Sequence, residues 1–473
     1  METYLRPPFL LIQTHVLKCY KSILQINVTV TPIKRPPDYL RDRSAEAQKH
    51  CLICIRYQLR CFREPKDVFS LNYMRIIRFI MNTIGQWPNK EFGNNTRTSR
   101  ILAVYRYVMI FMSLMCEILC IMYTWTNRKI LDFFILGHLY GNIMTTALLL
   151  VSQRSTLVFQ KKFCLLLKRF IFEYHIMHRE HESDFAKQEH KRINKFCRII
   201  TAILTMQICC GATSFNLVPL YNNIRTGMFS SNRPENGTFD HSVFFLLPFD
   251  YTTELSGYIV VFFFNWYPCF NVSVGICVYD NIIICMVFHI LGHFNLIGNK
   301  MKSFPRLDDD RGQTSNLVIQ EYNQRAFVLL KDIIKHYEFI KEFISETTDV
   351  FDVTLGFYLA FHQLNGCVLL LECSSLTPEA LAKYGVLTLV VFQQLVQTSM
   401  IFEQINSKSD KLVEVVYEIP WELLDVRNRR IVLFFLRNVQ NTLSVKALGV
   451  LPVGVMTMSS VSVVQCFPST YSV

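Results

Sequence analysis

The chain has 473 residues, 51% hydrophobic and 18% charged, with a mean hydropathy of +0.23 and a formal charge of +12. Soluble proteins are roughly 45–50% apolar and about 25% charged, so this composition belongs with the membrane class, and 38 Phe with 21 Tyr exclude a disordered chain. Sixteen cysteines scattered over this length, several inside apolar runs, are not a secreted disulfide framework.

Residues 1–67 are basic, carry Arg-Pro-Pro and Lys-Arg-Pro-Pro clusters and show no sustained periodicity. They read as an atypical extension, disordered or loosely attached, ahead of a folded region 68–473. The apolar patch Pro8–Val16 is too short for a span and lacks a small-residue cleavage site, so it is not a signal peptide. His50 with Cys51, Cys54 and Cys61 lacks the second ligand pair of a zinc site, and no metal or other cofactor is expected.

A hydrocarbon layer roughly 30 Å thick takes about 20 apolar helical residues, because unsatisfied backbone groups are too costly there. Seven windows qualify: 101–125, 130–151, 199–221, 255–291, 353–373, 384–402 and 447–473. Arg106 and Glu117 weaken the first of them, and the last is rich in small residues. The expected fold is an all-α membrane protein with seven transmembrane helices.

Charge orients it. With the N-terminus cytoplasmic, 42 of the Lys and Arg residues fall on the inner side and 5 on the outer. The positive-inside rule therefore puts the N-terminus in the cytoplasm and the C-terminus outside. The +12 is thus no nucleic-acid signature. A glycosylation sequon at Asn236 falls in the long outer loop, which agrees. The same orientation argues against a G-protein-coupled receptor, and neither an Asp-Arg-Tyr after the third span nor an Asn-Pro-x-x-Tyr in the seventh is present.

Between the fourth and fifth spans, Ile319, Tyr322, Ala326, Leu329, Ile333, Tyr337, Ile340 and Ile344 repeat in three- and four-residue steps. This is a helical packing seam continuous with the fifth span. Residues 405–446 also interleave apolar and charged positions, so a cytoplasmic helical anchor domain is expected, whereas 155–190 reads as one helix lying on the headgroups. His362, Gln363 and Asn365 in the fifth span, and Gln393, Gln394 and Gln397 in the sixth, are expected to bond the two helices together.

The last third carries an ordered set of motifs: Phe402-Glu403-Gln404-Ile405-Asn406-Ser407, Ser409, Tyr417-Glu418-Ile419-Pro420-Trp421, Arg429-Arg430, Leu436-Arg437-Asn438-Val439-Gln440, Lys446-Ala447-Leu448-Gly449 and Thr470-Tyr471-Ser472. Upstream stand Ile84-Gly85-Gln86-Trp87-Pro88, Leu247-Pro248-Phe249-Asp250-Tyr251 and Phe288-His289-Ile290-Leu291-Gly292-His293-Phe294. Each is weak alone, but their order resembles the insect odorant receptor family over about residues 70–473.

The resemblance implies an odorant-gated cation channel in the plasma membrane of sensory neurons, with no G protein required. It implies a heterotetramer with a shared co-receptor subunit, a small volatile ligand, and a pore along the seventh helix. Val461, Val464, Thr470 and Tyr471 would line that pore, the valines gating by dewetting. It places the ligand among the outer halves of spans two, three, four and six. There Phe134, His138, Gly211, Phe215, Tyr258, Phe262, Trp266 and Phe392 supply aromatic and small groups for an apolar pocket. Members of the family usually continue a few residues past the Tyr-Ser, whereas this chain stops at Val473, which together with the unusual first 67 residues points to an imperfect gene model or a truncated subunit. A gustatory receptor of the same superfamily would continue its Thr-Tyr with Gln-Phe. A membrane enzyme would show a catalytic constellation within its spans, and a transporter inverted repeats; neither is visible.

Overall fold

The computed structural model describes residues 68–93, 96–131, 133–157, 160–230, 233–234, 237–306, 316–374 and 385–457. Residues 1–67, Asn236 and the seventh-span positions Val461, Val464, Thr470 and Tyr471 lie outside the described residues, as does the side chain of Phe134.

Apart from one small hairpin, the regular secondary structure of the described residues is helical. Its helices are α1 (Asn72–Thr83), α2 (Arg97–Asn127), α3 (Phe133–Leu157), α4 (Gln160–Arg169), α5 (Asp184–Arg225), α6 (Leu255–Lys302), α7 (Asn316–Cys373), α8 (Val386–Tyr417) and α9 (Val426–Val439). Five of them (α2, α3, α5, α6 and α7) are long and apolar enough to cross a membrane. At roughly 1.5 Å per residue, the 58 residues of α7 run about 87 Å, far more than a bilayer needs. The fifth span and the seam before it are thus one rod.

Short side chains start several of these helices. The Thr96 hydroxyl accepts from Ser99 N at 3.3 Å, Ser183 from Ala186 N at 3.1 Å, and Asp425 from Asn428 N at 2.8 Å. Each satisfies a backbone amide that the first turn leaves without a partner.

The N-terminal parts of α5 and α7 and the C-terminal parts of α6 and α8 gather with α1, α4 and α9 into a helical base. Its core includes Tyr73, Met81, Phe163, Phe170, Tyr174, Ile290, Ile333, Phe343, Phe351, Ile405 and Phe435, all under 2% exposed. On α7 the buried register is Tyr322, Ala326, Leu330, Ile333, Tyr337, Ile340 and Phe343 with Ile344, while Ile319 is exposed. The seam read from the sequence is right over most of its length, with its first position one turn too early.

Residues 155–190 are not one headgroup helix. After α4 the chain makes a π-helical turn at Phe170–Tyr174 and a 3-10 turn at Ile176–Arg179 before α5 begins. Phe163, Leu166, Leu167, Phe170, Ile171 and Tyr174 are buried, and the Tyr174 ring stacks on Phe343 with centroids 3.7 Å apart. Folding the segment back on itself turns its apolar residues into the base instead of toward lipid.

Arg106 and the Gly85 motif explain each other. Gly85 has φ +68°, a conformation that penalises any Cβ, and an added Cβ would stand 2.9 Å from the Leu102 carbonyl oxygen. The close approach lets Arg106 Nε donate to Gly85 O at 3.0 Å, so the charged residue inside the first span is buried with a fixed partner.

The expected seventh span starts differently. Lys446–Ala447 pairs antiparallel with Leu451–Pro452, and helix resumes only at Val455. Leu448 turns with φ +53°, its amide donating to Asp352 O at 3.1 Å, and Gly356 on α7 makes room for its side chain: a Cβ there would sit 2.5 Å from Leu448 Cγ. Beyond the hairpin, the Glu403 carboxylate accepts from Val455 N at 3.1 Å, an anion at the start of a helix.

Candidate functional site

Toward the end that carries the α5–α6 connection, the helices surround a cavity of about 270 Å³. Helix periodicity sets which residues face it. α2 contributes Ser113, Cys116, Glu117 and Cys120; α3 contributes Gly137, His138, Gly141, Asn142, Thr145 and Thr146; α5 contributes Gln207, Ile208, Gly211, Ala212 and Phe215. All three sets step by three and four residues, so each is one stripe of its helix. α6 adds Cys269, Val272, Ser273 and Ile276, α7 adds Phe361, Asn365, Val368 and Leu369, and α8 adds Val390, Val391 and Gln394.

The space exists because the facing residues are small. Gly137, Gly141, Gly211, Ala212, Ser113 and Ser273 cannot meet across the gap, whereas the same helices carry large side chains in the base.

Val243 and Phe245 roof the cavity from the α5–α6 connection. That segment is tied down at several points. Ser242 O lies 2.8 Å from His138 Nε2 and accepts from Asn142 Nδ2 at 3.3 Å, while Asn265 Nδ2 donates to Val243 O at 3.3 Å. The Tyr251 hydroxyl donates to Phe245 O at 2.7 Å and accepts from Phe245 N at 3.0 Å. Beside it Asp250 accepts from the hydroxyls and amides of Thr253 and Thr252, which hold its carboxyl down at about 2. Burial pushes His241 below its ordinary value, partly offset by its hydrogen bond to Tyr251 O at 3.1 Å.

Among the residues singled out from the sequence, His138, Gly211 and Phe215 line this cavity, His138 stacked on Phe215 with centroids 5.5 Å apart. Tyr258, Phe262, Trp266 and Phe392 are not among the lining residues. Tyr258 instead stacks on Phe239 of the connection at 4.4 Å, with Phe262 packed beside it. Their spacing is that of a pocket face, but α6 turns that stripe toward the roof rather than the void.

Several lining residues were not foreseen. Glu117 was visible only as a blemish in the first span, and the helix count gave no reason for it to face inward. α7 contributes Phe361 and Asn365, and α8 contributes Gln394 rather than Phe392. α7 and α8 are joined at Tyr358 and Thr398, whose hydroxyls are 3.0 Å apart, while Gln393 of α8 pairs with Gln207 of α5 at 2.7 Å.

Among the described residues no group of three or more His, Cys, Asp or Glu could hold a metal ion.

A family model described as seven-transmembrane odorant receptor matches residues 143–464. No curated protein matches the chain. Among solved structures, the insect olfactory receptor OR5 from Machilis hrabei superposes with a TM-score of 0.66 at 15% identity, covering 85% of this chain and 97% of that one. The same receptor in complex with eugenol superposes at 0.65 with 16% identity, again over 85% and 97%. At that identity the likeness is one of fold.

Proposed function

Because the chain belongs to the odorant receptor family, we propose that it binds a small volatile odorant in this cavity and, with a co-receptor subunit, opens a cation pore. The single observation that carries the reading is the cavity itself, roofed by a pinned segment and framed by small and aromatic side chains from six helices. It is slightly below the roughly 300–1,000 Å³ usual for small-molecule pockets, a size suited to a compact ligand. A small organic molecule such as the eugenol held by the Machilis hrabei receptor is the class expected.

The membrane-length helices and the family make this a multi-pass membrane receptor rather than an enzyme. The distribution of Lys and Arg, 42 against 5, supports seven spans with the N-terminus in the cytoplasm and the helical base beneath the membrane. On that orientation the cavity lies in the outer half, Asn236 is available for glycosylation, and Val461, Val464, Thr470 and Tyr471 line the conducting path. Four such subunits, this chain with its co-receptor, would enclose that path, and no G protein is needed. The setting is the plasma membrane of a sensory neuron.

The test is co-expression with a co-receptor subunit and recording of currents against an odorant panel. Ligand-evoked currents that require this chain support the reading. Silence across the panel, with the chain at the cell surface, overturns it.

A further inference from the structure

The stripe that α2 turns to the cavity places one acid among neutral side chains. Glu117 is 8% exposed, while Val104, Val108, Met115 and Met122 on the opposite face of the helix are all exposed. No Lys or Arg occurs among the described lining residues. A buried carboxyl is costly unless it is paired or hydrogen-bonded, and ionisable groups inside spans are retained for a use. Thr146 on α3 hydrogen-bonds the carboxyl, which has further acceptor positions to offer.

A second acceptor faces the same space. Gln207 donates through its amide nitrogen to Gln393, while its buried Oε1 has no hydrogen-bond partner. The cavity therefore combines apolar and aromatic walls, notably Phe215 and Phe361, with the Glu117 carboxyl and an unpartnered acceptor, Gln207 Oε1.

We propose that Glu117 reads a hydrogen-bond-donating headgroup, an amine or a hydroxyl, on a small odorant whose apolar remainder rests against Phe215 and Phe361. Gln207 Oε1 is the second acceptor. The assignment rests on the odorant-receptor reading of this cavity and names the ligand chemistry it selects. Ethers and esters of the same skeleton can only accept, so they offer no donor to Gln207 Oε1 or to the remaining acceptor positions of Glu117. Sites built to hydrogen-bond a ligand group discriminate strongly against analogues that lack it.

The experiment measures binding of phenethylamine, phenethyl alcohol and phenethyl methyl ether to the full chain in lipid nanodiscs by thermophoresis. The amine and the alcohol are expected to bind at least tenfold tighter than the ether. Glu117→Leu should erase that preference while leaving the ether within about twofold. Glu117→Gln, which keeps an acceptor and removes the charge, separates the two headgroups: a tenfold loss confined to the amine assigns the headgroup to the amine, and an unaffected amine assigns it to the hydroxyl. A wild-type chain that binds all three alike or none of them overturns the assignment, as does a Leu variant that weakens all three in parallel or changes nothing. The wild-type comparison stands even if a variant fails to fold. Selective binding without current beside the co-receptor would break the channel reading alone. Currents evoked equally by all three compounds would break the headgroup assignment alone.

Discussion

The two ends of this helical bundle are built from the same long helices and packed in opposite ways. In the base, α5 buries Ala186, Ile193 and Cys197 against the aromatic core around Tyr174 and Phe343. Further along, the same helix turns Gln207, Gly211 and Phe215 toward a void. Large side chains meeting large ones fill the base, and small residues facing small ones open the cavity. Rigidity at one end and free volume at the other thus come from residue size at facing positions, not from a change of fold.

Polar groups differ in the same way. In the base several histidines and Tyr73 join in a connected network. Ile176 N donates to His289 Nδ1 at 3.3 Å and Met177 N to His175 Nδ1 at 3.2 Å, so each ring carries its proton on Nε2. Both Nε2 groups then donate to the Tyr73 hydroxyl, at 2.6 Å from His175 and 3.1 Å from His289. His293 follows the same logic, donating to Tyr174 O at 2.6 Å and accepting from His336 at 2.9 Å. The cavity instead leaves acceptors open.

A matched pair of substitutions tests this contrast hardest. Phe343→Ala in the base should cost about 3–5 kcal/mol, as for other fully buried aromatics, and be seen as loss of surface expression or a much lower melting temperature. Phe215→Ala in the cavity removes the same atoms from a wall that already faces empty space. It should leave melting nearly unchanged and alter the rank order of ligands. Equal destabilisation by the two would end the distinction between a filled and an open end.

Gly85→Ala comes next. The positive φ alone costs about 1–3 kcal/mol for a non-glycine residue, and the Leu102 carbonyl blocks the added methyl. The expected result is a melting temperature lowered by several degrees, without a change in ligand order among correctly folded molecules.

Acid should act on the base through His175. Burial, reinforced by the neighbouring histidines, holds this group well below its ordinary value. The folded chain therefore binds fewer protons than the unfolded one, so stability is full above about pH 6.5 and is lost as pH falls below it. Protonation would also set a new Nδ1 proton against the Met177 amide. Melting curves from pH 7.5 to 5 should slope downward, and His175→Gln should flatten part of that slope. His241 in the roof shifts in the same direction, so His241→Gln should flatten a smaller share.

Much of the fold was legible before any coordinates. Apolar windows marked the long helices, and the seam from Tyr322 to Ile344 identified the buried face of α7, because periodicity is a local property of the chain. The motifs were legible as a pattern but not as parts: only the structure joins Glu403 to the start of the last helix, and Leu448 to the notch at Gly356. The cavity was read in part. His138, Gly211 and Phe215 lie on stripes that any helical wheel reveals, while Tyr258 and Phe262 lie on an equally good stripe that faces the roof.

Composition and periodicity determined the class of this protein and its long helices, and the ordered motifs carried the family resemblance, because each depends on residues close together in sequence. Which stripe meets the void, why Arg106 is tolerated and that Glu117 points inward depend on rotations of whole helices against one another. Those rotations are set by the summed packing of residues hundreds of positions apart, and only the tertiary structure decided them.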